Sequence, residues 1–251
     1  WADPAKTLRV MIPVAETGFD PQATSDLYSS HVERAIFDSL YVWDYLARPY
    51  RIVPNTAAAM PEISADGRVW TIRLKRGIRF ADDPAFRAGP RELTAHDYVY
   101  AWKRLLDPRV RSPYLWYLNG KLAGAEPVLA KAKADGRLDY DAGIPGLKAI
   151  DRYTLQVKFK EPDWSFQYFL ATTPMAAVAK EVVAAKGDSA DDQWSVVADG
   201  GVEAIGGNFL LWKQQLNLRV SYRHRKSREV YDANSDLLDA VTTFSPTESP
   251  A

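Results

Sequence analysis

Hydrophobic and polar positions change rhythm several times along the chain, and each rhythm predicts an element. "KTLRVMIPV" (Lys6 to Val14) has the β-branched and apolar density of a buried strand, and Gly18 and Pro21 in "ETGFDPQ" then break it. From Ser25, residues Leu27, Val32, Ile36, Leu40 and Trp43 recur at spacings near three and four, with Ser25 or Asp26 placed to cap. This predicts an amphipathic helix that ends near a short strand. In "ADGRVWTIRL" an Asp66-Gly67 turn precedes alternation of Val69, Thr71 and Arg73 against Trp70, Ile72 and Leu74, the pattern of a half-buried antiparallel strand. "LTAHDYVYAWKRLLDP" then reads as a capped helix, with Thr94 at the N-cap, Asp97 at the third helical position and a stop at Pro108.

Further on, a helical piece around Ala123 to Ala134 lies between breaks marked by Gly and Pro. "YTLQVKFKEP" alternates again from Tyr153 to Phe159, and "SFQYFLATTP" and "AAVAKEVVAAKG" predict two helices around Pro174. Three strand candidates close the chain: "GNFLLWKQQ", "NLRVSYRHR" and "LLDAVTTF". No internal repeat or low-complexity linker interrupts this order.

Composition narrows the classes. With 251 residues, 47% of them hydrophobic and 25% charged, the chain has the make-up of a globular protein with one or two cores. Thirty-two basic residues balance thirty-two acidic ones, so no overall field draws in nucleic acid or an anionic membrane surface. The basic run "LRVSYRHRKSR" (Leu218 to Arg228) reads as the solvated face of a strand and turn rather than as a phosphate site. The absence of cysteine excludes disulfides, thiolate zinc sites and a cysteine nucleophile. Apolar runs such as "MAAVA" (Met175 to Ala179) fall far short of the ~18 residues a membrane span needs. Aromatic residues, at 12%, exceed what a core of this size requires, and a surplus of this kind suits a ligand cleft.

Catalytic material is poor. His31, His96 and His224 show neither HxxxH nor HxH spacing, and no G-x-S-x-G is present. His96 and Asp97 are neighbours on a predicted helix, where adjacent side chains diverge by about 100°. Asp82-Asp83 and Asp191-Asp192 would suit glycoside hydrolysis only with a partner carboxylate ~5 to 9 Å away, and both pairs lie in polar loops that read as solvated turns. "GVEAIGGNF" lacks the ending of a P-loop and the spacing of a dinucleotide fingerprint. These residues predict no catalytic group, metal or cofactor.

One ordered set of motifs carries a resemblance. Ser64 to Gly67 (S-x-D-G), Trp70 to Phe80 ("WTIRLKRGIRF"), Leu93 to Asp97 ("LTAHD") and Asp107-Pro108 follow one another as in the periplasmic substrate-binding proteins of peptide-type ABC importers. "TLRVMIPVAETGFDPQATSD", "IFDSLYVWD" and "IDRYTLQVKFKEP" are similar to the first strand and loop, a helix and a later strand of that family, so the resemblance covers roughly residues 6–180. Two stretches depart from it: "ADDPAFRAGPRELTA" replaces a shorter glycine-containing loop, and "GGVEAIGGNF" replaces a P-V-G-T-G-P-Y/F turn.

The resemblance implies an α/β periplasmic-binding-protein-like lobe (type II, cluster C) with an inserted α+β subdomain, the second lobe being absent from this chain. Residues 1–45 would form the first part of lobe I, 46–160 the inserted subdomain, 161–240 the return to lobe I, and 241–251 the start of a crossover toward the missing lobe. Such a chain is expected to be the N-terminal half of a longer protein, whether truncated, proteolysed or naturally short. Its closing strand, "VTTFSPTESPA", would then leave an exposed edge and a tendency to associate, while the full-length protein would be a monomer. The start "WADPAKTLRV" suits a chain whose signal peptide was removed, and the location implied is the periplasm.

The implied function is extracytoplasmic binding of a short peptide or similar small solute for delivery to the permease subunits of an ABC importer, without cofactor or catalysis. Ligand contacts carry over to Glu16, Thr17, Gly18 and Phe19 in the loop after the first strand, to Tyr114, Trp116 and Tyr117 as an aromatic wall, and to Asn208 and Phe209 at the altered turn. Two rival readings remain: a non-transporting scaffold lobe with an exposed apolar face, and an exported hydrolase with converging acids.

Overall fold

In the computed structural model the described residues are 8–9, 17–186, 198–202, 216–220 and 240–242. In chain order they form β1 (Leu8–Arg9), α1 (Leu27–Ile36), β2 (Tyr41–Trp43), β3 (Ile52–Pro54), β4 (Glu62–Ile63), β5 (Val69–Arg73), α2 (Ala95–Leu106), α3 (Glu126–Asp135), β6 (Leu147–Asp151) and β7 (Thr154–Lys158). α4 (Phe166–Phe169), α5 (Lys180–Lys186), β8 (Ala198–Val202), β9 (Leu216–Val220) and β10 (Ala240–Thr242) follow, and short 3-10 turns occupy Leu115–Tyr117 and Thr173–Met175. The chain divides into two compact units, Glu16–Gln193 and a smaller one made of Trp1–Ala15 with Trp194–Ala251.

The smaller unit contains an antiparallel sheet of order β1-β10-β9-β8. Val241 pairs with Arg9 on one side and Arg219 on the other, so β10 has a partner on each flank and is not an edge. Two of the three strands expected near the C-terminus appear as β9 and β10, while "GNFLLWKQQ" lies outside the described residues. Gly200 and Gly201, which the motif comparison assigns to an altered turn, belong to β8.

The larger unit is organised by a sheet of order β4-β5-β7-β6, antiparallel throughout. The alternation in "VWTIRL" has the expected result: Trp70 and Ile72 are fully buried, opposite Val157 and Leu155 on β7. Helix α2 packs on β6 and β7 and buries Tyr98, Trp102 and Leu105. Phe166 of α4 presents its ring to both tryptophans, edge to face, at 5.5 Å from Trp70 and 5.9 Å from Trp102. Such pairs add attraction beyond the area they bury.

Local signals in this unit act as their chemistry requires. The Asp97 carboxylate accepts from the Thr94 backbone N–H (2.7 Å) and hydroxyl (2.8 Å), closing the first turn of α2, and Arg91 donates to its other oxygen at 2.6 Å. Gly67 has φ of +70°, and a Cβ there would meet the Trp164 ring at 2.7 Å, so the Asp66-Gly67 turn accepts no larger residue without displacing that ring.

Three differences from expectation have physical reasons. Around Pro174 the chain forms a four-residue α4, a 3-10 turn and then α5, not two regular helices. The carbonyls of Pro174, Met175 and Ala176 are taken by side chains of Gln22 and Trp102, and proline has no N–H to continue a helix. β6 escapes the pattern because Leu147 is its one buried residue, which leaves no alternation to detect. α1 forms, with Asp26 accepting from the N–H groups of Tyr28 (3.0 Å) and Ser29 (2.8 Å), but its buried residues are Ser29 and Glu33, and Leu27 is 60% exposed.

Candidate functional site

The loop that leads into α1 is held from below by a buried ion pair. Arg104 of α2, with no solvent exposure, donates to both carboxylate oxygens of Asp20 and to Oε1 of Gln22 at 2.7 Å. The Gln22 amide in turn donates to the carbonyls of Pro174 (3.1 Å) and Ala176 (3.3 Å). One guanidinium thereby fixes the loop, α2 and the 3-10 turn in a single arrangement. At the loop's start, the Thr17 N–H donates to Ser29 Oγ at 3.1 Å and its hydroxyl to Asp26 Oδ2 at 2.5 Å. Burial works against the Asp26 charge, yet hydrogen bonds from Ser29, Thr17 and Tyr28 outweigh it and bring the pKa down to about 2.

Above this base lies a half-open cavity of about 520 Å³, within the range of small-solute sites. Glu33 from α1, Asp38, Trp43 from β2, Tyr114, Tyr117 and Thr172 are among the residues that line it. The aromatic wall is braced from behind. Tyr117 stacks on Phe169 at 4.4 Å, and Trp116 meets Tyr117 and Phe169 edge-on at 4.6 and 5.3 Å. Trp43 stacks on Tyr168 at 5.6 Å. Rings fixed in this way offer flat apolar contact at small entropic cost.

The cavity lining carries two acids, Glu33 and Asp38, and one arginine, Arg34. Glu33 is 1% exposed; burial pushes its carboxyl up to about 7, against a hydrogen bond from the Thr24 hydroxyl and with help from the charges of Asp20 and Asp26. Burial, and then Glu33, raise the Tyr114 phenol, and burial raises that of Tyr117 against a hydrogen bond with Thr172.

Of the residues singled out in the sequence, Tyr114 and Tyr117 come together on the cavity wall. Trp116 is 56% exposed and supports that wall without lining the cavity. Thr17 and Gly18 belong to the anchored loop, and Phe19 is a core residue, 3% exposed; none of the three lines the cavity. Glu16, Asn208 and Phe209 lie outside the described residues. His31 and His96 are exposed on α1 and α2, and Asp83 accepts from the Ala85 N–H at 2.9 Å in a turn. Among the described residues no group of three or more His, Asp or Glu is placed to hold a metal. Glu33, Asp38 and Thr172 join the lining from positions that no sequence motif marks. The one available signal was the i, i+4 pair Ser29 and Glu33, which puts two polar side chains on a single stripe of α1.

Residues 51–200 match the family of bacterial extracellular solute-binding proteins, family 5 Middle. The periplasmic oligopeptide-binding protein OppA of Salmonella typhimurium is 30% identical over 182 residues, which cover 72% of this chain and 30% of that protein. The probable deoxycholate-binding periplasmic protein YgiS of Escherichia coli is 28% identical over 222 residues, 88% of this chain and 37% of that one. The solved structure of OppA from Burkholderia pseudomallei superposes with a TM-score of 0.55 at 28% identity, covering 70% of this chain and 31% of its own. This chain therefore spans about a third of the length of such relatives, and its fold class is that of their periplasmic-binding-protein-like architecture. On the extent of the match and the agreement of fold, the chain belongs to the family 5 bacterial extracellular solute-binding proteins.

Proposed function

We propose that the cavity wall formed by Tyr114 and Tyr117 is one side of an extracytoplasmic cleft that binds a short peptide or similar small solute. The observation that supports this is a half-open recess of about 520 Å³, walled by braced aromatic rings, in a chain whose relatives include oligopeptide-binding proteins. In this reading the ligand's main chain is held by backbone hydrogen bonds of the strand-addition type, and its side chains occupy roomy, water-filled space. Residues 46–160 are the inserted subdomain between two parts of lobe I, a second lobe closes over the ligand, and the closed form delivers it to the membrane permease of an ABC importer. No covalent step enters this scheme.

Thermal melts of the 251-residue chain, with and without a pool of di- to hexapeptides, test it. A ligand at ~100 times its dissociation constant stabilises by about 2.7 kcal/mol, a shift of several degrees. A shift with peptides supports the reading; a shift only with deoxycholate kept below its micellar concentration moves the ligand class toward that of the YgiS-like relative.

A further inference from the structure

The cavity contains an acid for which the peptide reading has no use. Glu33 lines the recess although it is 1% exposed, and the Thr24 hydroxyl donates to its Oε1. The charges of Asp20, from the preceding loop, and of Asp26, from the N-cap of its own helix, both oppose its ionisation. Tyr114 approaches from the segment after α2, and Asp38 lies on the same lining. Two arginines lie nearby. Arg104 of α2 is engaged by Asp20 and Gln22, Arg34 lines the same cavity with its side chain exposed to solvent, and no ion pair among the described residues includes Glu33. A buried carboxyl without a paired counter-ion either keeps its proton or takes up a cation from outside.

We propose that Glu33 is the counter-ion for a primary ammonium group of the ligand, so that this cavity selects alkylammonium solutes, lysine-containing peptides among them. The peptide part of this inference rests on the function proposed above; the ammonium chemistry does not. The tyrosine and tryptophan faces around the recess suit both the methylene stem and the cationic head of such a group. In the step itself, Glu33 gives its proton to solvent as the ammonium enters, a carboxylate–ammonium pair replaces the neutral acid, and charge is conserved. Because burial holds the carboxyl near 7, the ionised, competent fraction falls about tenfold between pH 8 and pH 6, and affinity falls with it.

Calorimetric titration of the 251-residue chain tests this with three probes: Ala-Lys-Ala, N-acetyl-Ala-norleucine-Ala and 1,5-diaminopentane, each at pH 6 and pH 8. Both ammonium-bearing probes are expected to bind about tenfold more weakly at pH 6, and Ala-Lys-Ala to exceed the acetylated peptide by at least about tenfold at pH 8. Glu33→Gln, which keeps the acceptor for Thr24 and the side-chain volume, is expected to remove both effects. Titration of the unsubstituted chain at pH 7 in phosphate and in Tris, buffers of different ionisation enthalpy, is expected to show release of about half a proton, independently of any variant. Equal affinity for Ala-Lys-Ala and the acetylated peptide, unchanged by pH or by Glu33→Gln, would overturn the inference and leave peptide binding standing. Binding of diaminopentane alone, lost in Glu33→Gln, would uphold the ammonium site and end the peptide reading. Failure of both ammonium-bearing probes to bind would end the inference.

Discussion

Two regions of the Glu16–Gln193 unit are held together by different physics. Around α2 and the β5-β7 pair the buried apolar side chains include Trp70, Ile72, Trp102, Leu155 and Val157, and their contribution follows the apolar area removed from water. Around the loop before α1 the buried side chains include Asp20, Gln22, Thr24, Ser29 and Glu33, whose burial is tolerable only while each has a partner. An apolar core yields gradually to substitution, whereas a polar one fails when a single partner is lost. The cavity stands on the polar region, so its charge is adjustable without disturbing the packing of the sheet.

The largest effect expected in the apolar region is from Trp102→Ala. It removes a fully buried ring, leaves a void beside Phe166 and orphans the Met175 carbonyl that the indole N–H serves. Urea unfolding should show a loss of about 3–5 kcal/mol. Arg104→Met challenges the other region on a comparable scale, about 3 kcal/mol, because Asp20 remains buried without its cation. Adding Asp20→Asn should recover part of that loss, giving a double-mutant coupling above about 1 kcal/mol. The same Asp20→Asn change combined with Trp102→Ala should be close to additive. Coupling of equal size in both pairs would erase the distinction between the regions.

The acid sharpens the contrast through pH. Glu33 in the folded chain holds its proton up to about pH 7, while the unfolded chain releases it near the ordinary glutamate value of 4.5. Its stabilising contribution is therefore complete below about 4.5 and declines as pH rises toward 7, by about 3 kcal/mol in total. Glu33→Gln should flatten this part of the stability curve in denaturant titrations between pH 4 and 8. Thr94→Ala, at the buried N-cap of α2, should cost about 1 kcal/mol, since Asp97 keeps its bond from the backbone N–H of residue 94.

These differences also decide what the sequence could disclose. The α2 cap, the Asp66-Gly67 turn and the strand through Trp70 and Ile72 are written in residues one to three positions apart, so they are legible in one dimension. The spacing of apolar residues predicts α1, but its buried stripe is Ser29 and Glu33, held by Asp26 and Thr24, and Leu27, Val32 and Ile36 are not among the residues it buries. The cavity draws on residues as far apart as Glu33, Tyr114 and Thr172, a separation at which no periodicity operates. Tyr114 and Tyr117 stand out in the sequence as part of a dense aromatic run, whereas Glu33, whose role depends on the charges around it in space, has no such marker.

Three of the tryptophans divide between the sealed core and the open cavity wall. Trp70 and Trp102 are sealed in the core, while Trp43 lines the cavity, half exposed and stacked on Tyr168. Trp116 and Trp164 are also exposed, at 56% and 58%, so quenchable emission is not confined to the cavity wall. The difference in iodide quenching between the unsubstituted chain and Trp43→Phe, with and without each candidate solute, isolates the signal of the cavity-wall indole, with no label attached.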